Sequence, residues 1–255
     1  MNVGITFPTR SRATKVERLV TSIKPIDANH TVTFVLGFDD DDPQRAKYNA
    51  LIEAHQNDQL RFVTVPMPRP WRGMGVAFNR LCKHLPPDVE TIAMFGDDMV
   101  FKSSSKAVFD YIENKIQSWG PDFLGCVVFN DATWNFNPKR LKQGPPIAIN
   151  GFLHRNWLEA LGHFFPDQIL GDFADNYITE LCLAIKRYDV CHKMVIKHLH
   201  QDFHPNQKDK TGDNKRKWER SVGYGGGQNV WNNIIKPRLK GDIQKLREYM
   251  ERKNA

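Results

Sequence analysis

Two adjacent carboxylates open the chemical reading of this chain. Asp97 and Asp98 follow the apolar run Thr91-Ile92-Ala93-Met94-Phe95 and Gly96. A carboxylate pair just past a buried strand can hold a divalent cation through hard oxygen ligands. Such a cation would bridge the diphosphate of a bound nucleotide and neutralise charge growing on a leaving group. Gly-Asp-Asp is also good turn chemistry, so the pair alone reads equally as a turn or a metal site. His198 and His200 are spaced to share one face of a strand and offer imidazoles for the same ion. His204 follows, and a zinc site with Cys191 would lack a second thiolate.

Other groups fall into place around this pair. Asp39 to Asp42 form an acidic run. One of them, Asp39 first, is a candidate to accept a hydrogen bond from a nucleobase; the run also suits the positive end of the next helix. Arg10, Arg12 and Arg72 are candidate phosphate contacts. Asp172 and Asp175 stand at the opening of a helical segment. Asp175, three residues before Ile178, is expected to face inward as a general base, while Asp172 N-capping the helix with Asp175 three residues on is the competing arrangement. Lys208, Lys210, Lys215, Arg216, Lys217 and Arg220 form a basic tract with Trp218 and Tyr224 nearby. Basic residues interleaved with aromatics suit a polynucleotide, and composition alone suits a solvated loop.

The elements that must position these groups read as alternating strands and helices. Strands are predicted over 2–7, 31–38, 60–65 and 91–95. Between them lie a helix carrying Val16, Leu19, Val20 and Ile23 and ended by Pro25, one over 43–56, and one over 73–84. That alternation predicts a parallel sheet with covering helices, whose ligands gather at the carboxyl ends of the strands. Pro8–Arg12, Asp39–Asp42 and Asp97–Asp98 all fall there. The second half predicts a helix on Val108, Ile112 and Ile116, strands over 123–129, 147–153 and 193–200, a loop over 130–146, and a helix over 174–187. Residues 201–228 read as a loop or lid, with Gly223–Gly227 able to close over a donor, and a charged helix is expected over 240–252.

Composition bounds the function. The 255 residues fit one large α/β unit, and they carry a net charge of +7 with a pI near 9.2, a surface that attracts polyanions, nucleic acid and sugar nucleotides alike. No apolar stretch approaches the ~20 residues of a membrane helix, and no signal peptide is evident. A cytoplasmic protein without a membrane partner is expected. The four scattered cysteines, Cys82, Cys126, Cys182 and Cys191, predict buried thiols and no disulfide framework.

The order of motifs over residues 2–204 resembles the inverting GT-A-fold glycosyltransferases of the family-two type. Ile5-Thr6-Phe7-Pro8-Thr9-Arg10-Ser11-Arg12 resembles their first strand and turn, Phe38-Asp39-Asp40 their nucleobase contact, and Asn79-Arg80 the pair preceding their metal motif, in reversed order. Gly96-Asp97-Asp98 stands where they have Asp-x-Asp. Asn150 to Arg155 resembles the acceptor-side strand, Ala174-Asp175-Asn176 the catalytic-base segment, and His198-Leu199-His200 the late histidine of the metal site. The resemblance implies an α/β fold with a mostly parallel, Rossmann-like central sheet flanked by helices. It implies one catalytic unit over 1–255, with a nucleotide-sugar half over 1–100, an acceptor half over 101–204, and a basic loop and terminal helix over 205–255. It further implies donor contacts from Pro8, Thr9, Arg10, Arg12, Asp39, Arg72, Asn79 and Asp97, and Mn or Mg on Asp98 with His200 and His198. Asp175 is the implied base, with Asp172 and Glu180 as alternatives. The donor would be a nucleotide-diphosphate sugar, a UDP-sugar first. The acceptor would be a hydroxylated DNA base held by Lys215, Arg216, Lys217 and Trp218, as in virus-encoded DNA-glucosylating enzymes, which would place the protein in a host cytoplasm. Gly96 departs from the pattern and shifts the ligand role to Asp98, and the base segment lacks a Glu-Asp doublet before Leu181-Cys182. A non-catalytic binding module and a nucleotidyltransferase share the same sheet and metal logic.

Overall fold

The computed structural model describes residues 1–23, 26–67, 73–200 and 227–255. The first half is a run of parallel units: β1 (Asn2–Thr9), α1 (Ala13–Ser22), β2 (Thr31–Asp39), α2 (Arg45–His55), β3 (Leu60–Met67), α3 (Met74–Cys82) and β4 (Thr91–Met94). Then come β5 (Met99–Phe101), α4 (Ser105–Gln117), β6 (Cys126–Asn130), a 3-10 turn (Trp134–Phe136), α5 (Pro138–Leu141), β7 (Phe152–His154), α6 (Asn156–Leu161), α7 (Ala174–Ala184) and β8 (Tyr188–His198). The chain closes with α8 (Gly227–Val230), a π-turn (Trp231–Ile235) and α9 (Lys236–Asn254).

The eight strands form one sheet in the order β3-β2-β1-β4-β7-β6-β8-β5. β1 pairs in parallel with β2 and β4, and β2 with β3. The second half turns the sheet mixed. β7 runs antiparallel to both β4 and β6, β8 parallel to β6, and β5 antiparallel to β8. The expected parallel pairing therefore runs through the first four strands and recurs between β6 and β8, while the short β5 and β7 add the antiparallel pairs. Connections explain this: three-residue β5 follows β4 across the short turn 95–98, and three-residue β7 follows the irregular segment 131–151, so neither is fed by a long crossover helix.

Strand alternation divides the core between the two faces of the sheet. Val3, Ile5 and Phe7 of β1, Phe34 and Leu36 of β2, and Val127 and Phe129 of β6 pack with α1 and α4. Val35, Ile92, Met94, Cys126 and Val128 point the other way, against α3, α7 and α9. The four cysteines are buried and unpaired, as expected. No described helix is long and apolar enough to cross a membrane.

Several boundaries differ from the sequence reading: the strand expected over 147–153 is confined to Phe152–His154, the loop expected over 130–146 holds the 3-10 turn and α5, and the last helix begins at Lys236. α7 stops at Ala184, not 187, because the chain turns through Lys186 in the left-handed region, φ 58°. β8 then begins at Tyr188, five residues early, because its mixed polar sequence leaves it half-buried and hides the strand from a hydrophobicity reading.

Candidate donor and metal site

β1 lies between β2 and β4, so the strand order reverses at the β1/β4 boundary. Open α/β sheets hold ligands in the crevice such a reversal leaves beyond the strand ends. Here the crevice is lined by charge. Thr9, the last residue of β1, donates from Oγ1 to Asp97 Oδ2 at 2.7 Å. Arg12, at the N-terminus of α1, donates from NH1 to Asp97 Oδ1 at 3.1 Å. Both Asp97 oxygens are thus engaged, and its side chain is only 2% exposed. Burial raises the Asp97 pKa, with Arg12 opposing.

Tyr48, which no motif flagged, and Asp42, the last of the acidic run, hold this corner rigid. The Tyr48 hydroxyl accepts from the Arg12 backbone N–H at 2.9 Å and lies 3.3 Å from Thr9 Oγ1. Asp42 accepts from the N–H groups of Ser11 and Gln44, both at 2.8 Å. It joins the two turns, and the N-cap of α2 is Gln44. Ser11 sits at φ 54°, a conformation uncommon for serine. Arg10 lies across the acidic run, 2.7 Å from Asp39 and 2.5 Å from Asp41. Pro8 and Thr9 end β1 directly beside Gly37 and Phe38, so Asp39 flanks the same crevice.

Asp98 points elsewhere. Its Oδ1 lies 3.3 Å from His198 Nε2 at the end of β8, and its carbonyl accepts from Leu199 N–H at 2.8 Å. Burial works to raise the Asp98 pKa, but the hydrogen bond and charge of His198, with Arg12 and Lys15, hold it below the usual carboxylate range. Burial lowers the His198 pKa, while Asp98, then Asp131 and Asp175, raise it overall. The His200 ring lies beside that of His198, centroids 5.2 Å apart. A carboxylate oxygen and an imidazole nitrogen face one another; the carboxylate suits Mn or Mg, and the imidazole favours the softer Mn of the two. A Cβ on Gly96 would sit 2.6 Å from Asp98 Oδ1, so the glycine lets the Asp98 carboxylate fold back over the turn.

Among the described residues, the grouping with three ligand atoms within 4.8 Å of one another is a different one: Asp27, His30 and Asp110. It lies where β2 begins, the opposite end of the sheet from Asp98. Lys106 Nζ is 2.5 Å from Asp110 and 3.4 Å from Asp27 there, so an ammonium already neutralises these carboxylates.

The acidic opening of α7 is placed by its neighbours. The N-cap is Phe173, at φ 67° and without a side-chain cap bond. The capping reading with Asp172 at the N-cap is thereby corrected: the strained Phe173 intervenes. Its ring stacks on Trp231, centroids 5.4 Å apart, and Asp172 packs against Gly227. Asp175 is half-buried, Asp172 and Glu180 exposed. A bulky residue held in the left-handed region is strain of the kind that clusters at functional sites.

Asn79 lies outside the crevice. Its Oδ1 accepts from the N–H groups of Phe164 and Phe165, and its Nδ2 donates to the Phe165 carbonyl and Asp167 Oδ1. It clamps the loop that leads to Asp172. Arg72, His204, the basic tract with Lys215, Arg216, Lys217 and Trp218, and Pro25 lie outside the described residues.

This arrangement of strands and helices has solved counterparts. The first 349 residues of S. aureus TarS share 11% identity, with 96% of this chain and 81% of that one covered and a TM-score of 0.55. The same protein in complex with UDP-GlcNAc aligns over 98% of this chain and 72% of that one at 11% identity, with a TM-score of 0.52. The chain has the GT-A fold. The catalytic domain of Drosophila beta1,4galactosyltransferase 7 in complex with xylobiose was also found, at 12% identity over 87% of this chain and 82% of that one, TM-score 0.44. No protein-family model and no curated protein sequence matches the chain. The charge of Asp175 also acts on His198, raising its pKa after Asp98 and Asp131.

Proposed function

We propose that the protein is a glycosyltransferase, acting over 1–255 as one catalytic unit, that moves a sugar from a nucleotide-diphosphate donor to an acceptor hydroxyl with inversion. The observation that carries this reading is the meeting, at one strand-order reversal, of Thr9, Arg12 and Asp97 with the Asp98–His198 pair. UDP is the first nucleotide to test, since TarS was solved with UDP and with UDP-GlcNAc.

The residues divide the work. Asp39 flanks the crevice where the nucleobase would lie, held in place by Arg10. Arg12, anchored on Asp97, brings positive charge beside the diphosphate. Asp98 with His198, and His200 beside them, would hold Mn or Mg; when bound, the ion supplies Lewis-acid neutralisation of the departing diphosphate. Asp175 takes the acceptor's hydroxyl proton, with Asp172 the alternative. The acceptor oxygen then bonds to the anomeric carbon as the bond from that carbon to the diphosphate oxygen breaks. The nucleoside diphosphate leaves with the bonding pair, and the configuration inverts. For the acceptor we carry forward a hydroxyl on a DNA base, which the net charge of +7 supports.

The test is a thermal-shift screen of nucleotide sugars with and without Mn, paired with detection of released nucleoside diphosphate. A metal-dependent shift with one donor and slow release of its nucleoside diphosphate is expected. Release of pyrophosphate, or no shift with any donor, would overturn the reading.

A further inference from the structure

One loop couples to both sides of the proposed reaction centre and is not used by the donor. The segment from Asp131 to Ile149 leaves the carboxyl end of β6. At its start the Asp131 carbonyl accepts from His198 N–H at 2.9 Å. At its end the Ala148 N–H donates to Thr179 Oγ1 at 2.9 Å, and that hydroxyl donates to the Asp175 carbonyl at 2.7 Å. The loop therefore ties His198 on one flank to Asp175 on the other.

Its interior is built to be rigid. Buried Asp131 accepts from Thr133 N–H and Oγ1 and from Asn135 Nδ2. Asn135, fully buried, pairs its amide with both backbone groups of Ile147. Tyr188 Oη donates to the Pro146 carbonyl at 2.6 Å. Between Thr133 and Asn135 this scaffold presents Trp134, one of the two large hydrophobic side chains exposed among the described residues, at 43%. The Arg140 guanidinium lies 5.8 Å from its ring centre. From Ala132 to Ile149 the sequence has three cations, Lys139, Arg140 and Lys142, and no carboxylate.

A rigid exposed indole beside cations, in a segment that has no carboxylate of its own between Ala132 and Ile149, matches an unpaired base stacked on the ring and phosphates held by the side chains. An enzyme acting on a base must take it unpaired or flipped. Resting on the glycosyltransferase reading above, we propose that residues 131–149 form the acceptor platform, and that the acceptor is a single-stranded stretch of nucleic acid stacked on Trp134 and held by Lys139, Arg140 and Lys142.

Binding alone tests this, without turnover. The full-length protein is titrated into a fluorescein-labelled oligodeoxythymidylate, followed by anisotropy at several salt concentrations. Trp134→Ala should weaken binding by about tenfold, the effect expected for one stacked base. Lys139→Glu with Lys142→Glu should weaken it further and flatten the salt dependence by roughly 0.7 for each phosphate no longer neutralised. Trp134→Phe should keep most of the affinity. All variants should retain the wild-type Tm and the donor-induced thermal shift, because these side chains are outside the core. Absent binding at low salt, unchanged affinity in both variants, or equal affinity for heparin with Trp134→Ala unimpaired would overturn the platform. Donor turnover would be untouched by that outcome, so failure of the platform and failure of the transferase reading are separable.

Discussion

Asp98 Oδ1 lies 3.3 Å from His198 Nε2, and this contact, together with Leu199 N–H on the Asp98 carbonyl, joins the turn after β4 to the end of β8. With His198 gone, Asp98 would lose the hydrogen bond that holds its carboxylate ionised. Asp98→Ala is expected to abolish the Mn-dependent thermal shift and to lower donor turnover by about 10²–10³-fold or more, the loss typical of removing one stabiliser of developing charge. EDTA should do the same to the wild type, restored by Mn. A fully active Asp98→Ala protein would remove the metal from the mechanism. Gly96→Ala, which crowds Asp98 Oδ1, should weaken Mn binding while leaving Thr9–Asp97 intact.

Asp175 and Asp172 separate by one experiment. Asp175→Asn is expected to bind UDP as well as the wild type and to lose about 10²–10⁴-fold in transfer, the range of general-base catalysis. Asp172→Asn should lose little if Asp175 is the base. Reversed results would assign the role to Asp172, and full activity in both would exclude a base at this helix start.

Asn79 and Gly75 form a mechanical clamp. A Cβ on Gly75 would overlap the Pro166 carbonyl oxygen, and Met74 and Gly75 N–H groups donate to the carbonyls of Leu170 and Ile169. Asn79→Ala leaves the N–H groups of Phe164 and Phe165 without their acceptor, at roughly 1–3 kcal/mol each. Gly75→Ala should destabilise by about 1–3 kcal/mol through overpacking. Both should lower transfer more than UDP affinity, because the loop they hold leads to Asp172 and Asp175. Chemical denaturation with parallel kinetics checks this, and an unchanged ratio of transfer to UDP affinity would confine the clamp to stability.

Two histidines set an acid limit on stability. His154 Nδ1 accepts from Asn156 N–H, and His163 Nε2 faces the Arg238 guanidinium at 2.8 Å. Both must be neutral. Burial, and for His163 then Arg238, lowers each below the ordinary 6.5. The unfolded chain therefore takes up protons near pH 6.5 that the folded chain refuses. The stability these groups contribute is present above that pH and is lost as pH falls through their lowered values. His198, raised, works in the opposite sense. His163→Gln, whose amide oxygen still accepts from Arg238, should show a smaller fall in Tm between pH 7.5 and 5.5. An unchanged slope would remove His163 from the account.

The first half of the fold is legible in the sequence because its strands are long, apolar and separated by helices with clear periodicity, as in Val16, Leu19 and Val20 facing the core. Three strand ends with charged residues point to the crevice for the same reason. β5, three residues long, falls below any periodic signal, and β7, equally short, is read as a strand with its start displaced. Asp131 and Asn135 are buried polar residues whose side chains bond within their own loop, and buried Asn150 reaches both backbone groups of Phe129 and the Ile196 carbonyl on neighbouring strands. Polar type alone suggests a surface loop, so only the folded arrangement reveals that they hold the centre. Motif order places Asn79 in the donor site, whereas its amide has four loop partners.

The pairing of β8 with β6 and β5 carries a consequence for how the protein comes into being. Asp98 and His198 are a hundred residues apart in sequence, and β8 must lie beside β6 and β5 before they can meet. Loop closure over such a span is slow. During synthesis the crevice of β1 and β4 can form long before the histidine emerges, so a nascent chain would recognise nucleotide before it can hold the ion. Capacity for chemistry would then arrive only with the last strand of the sheet.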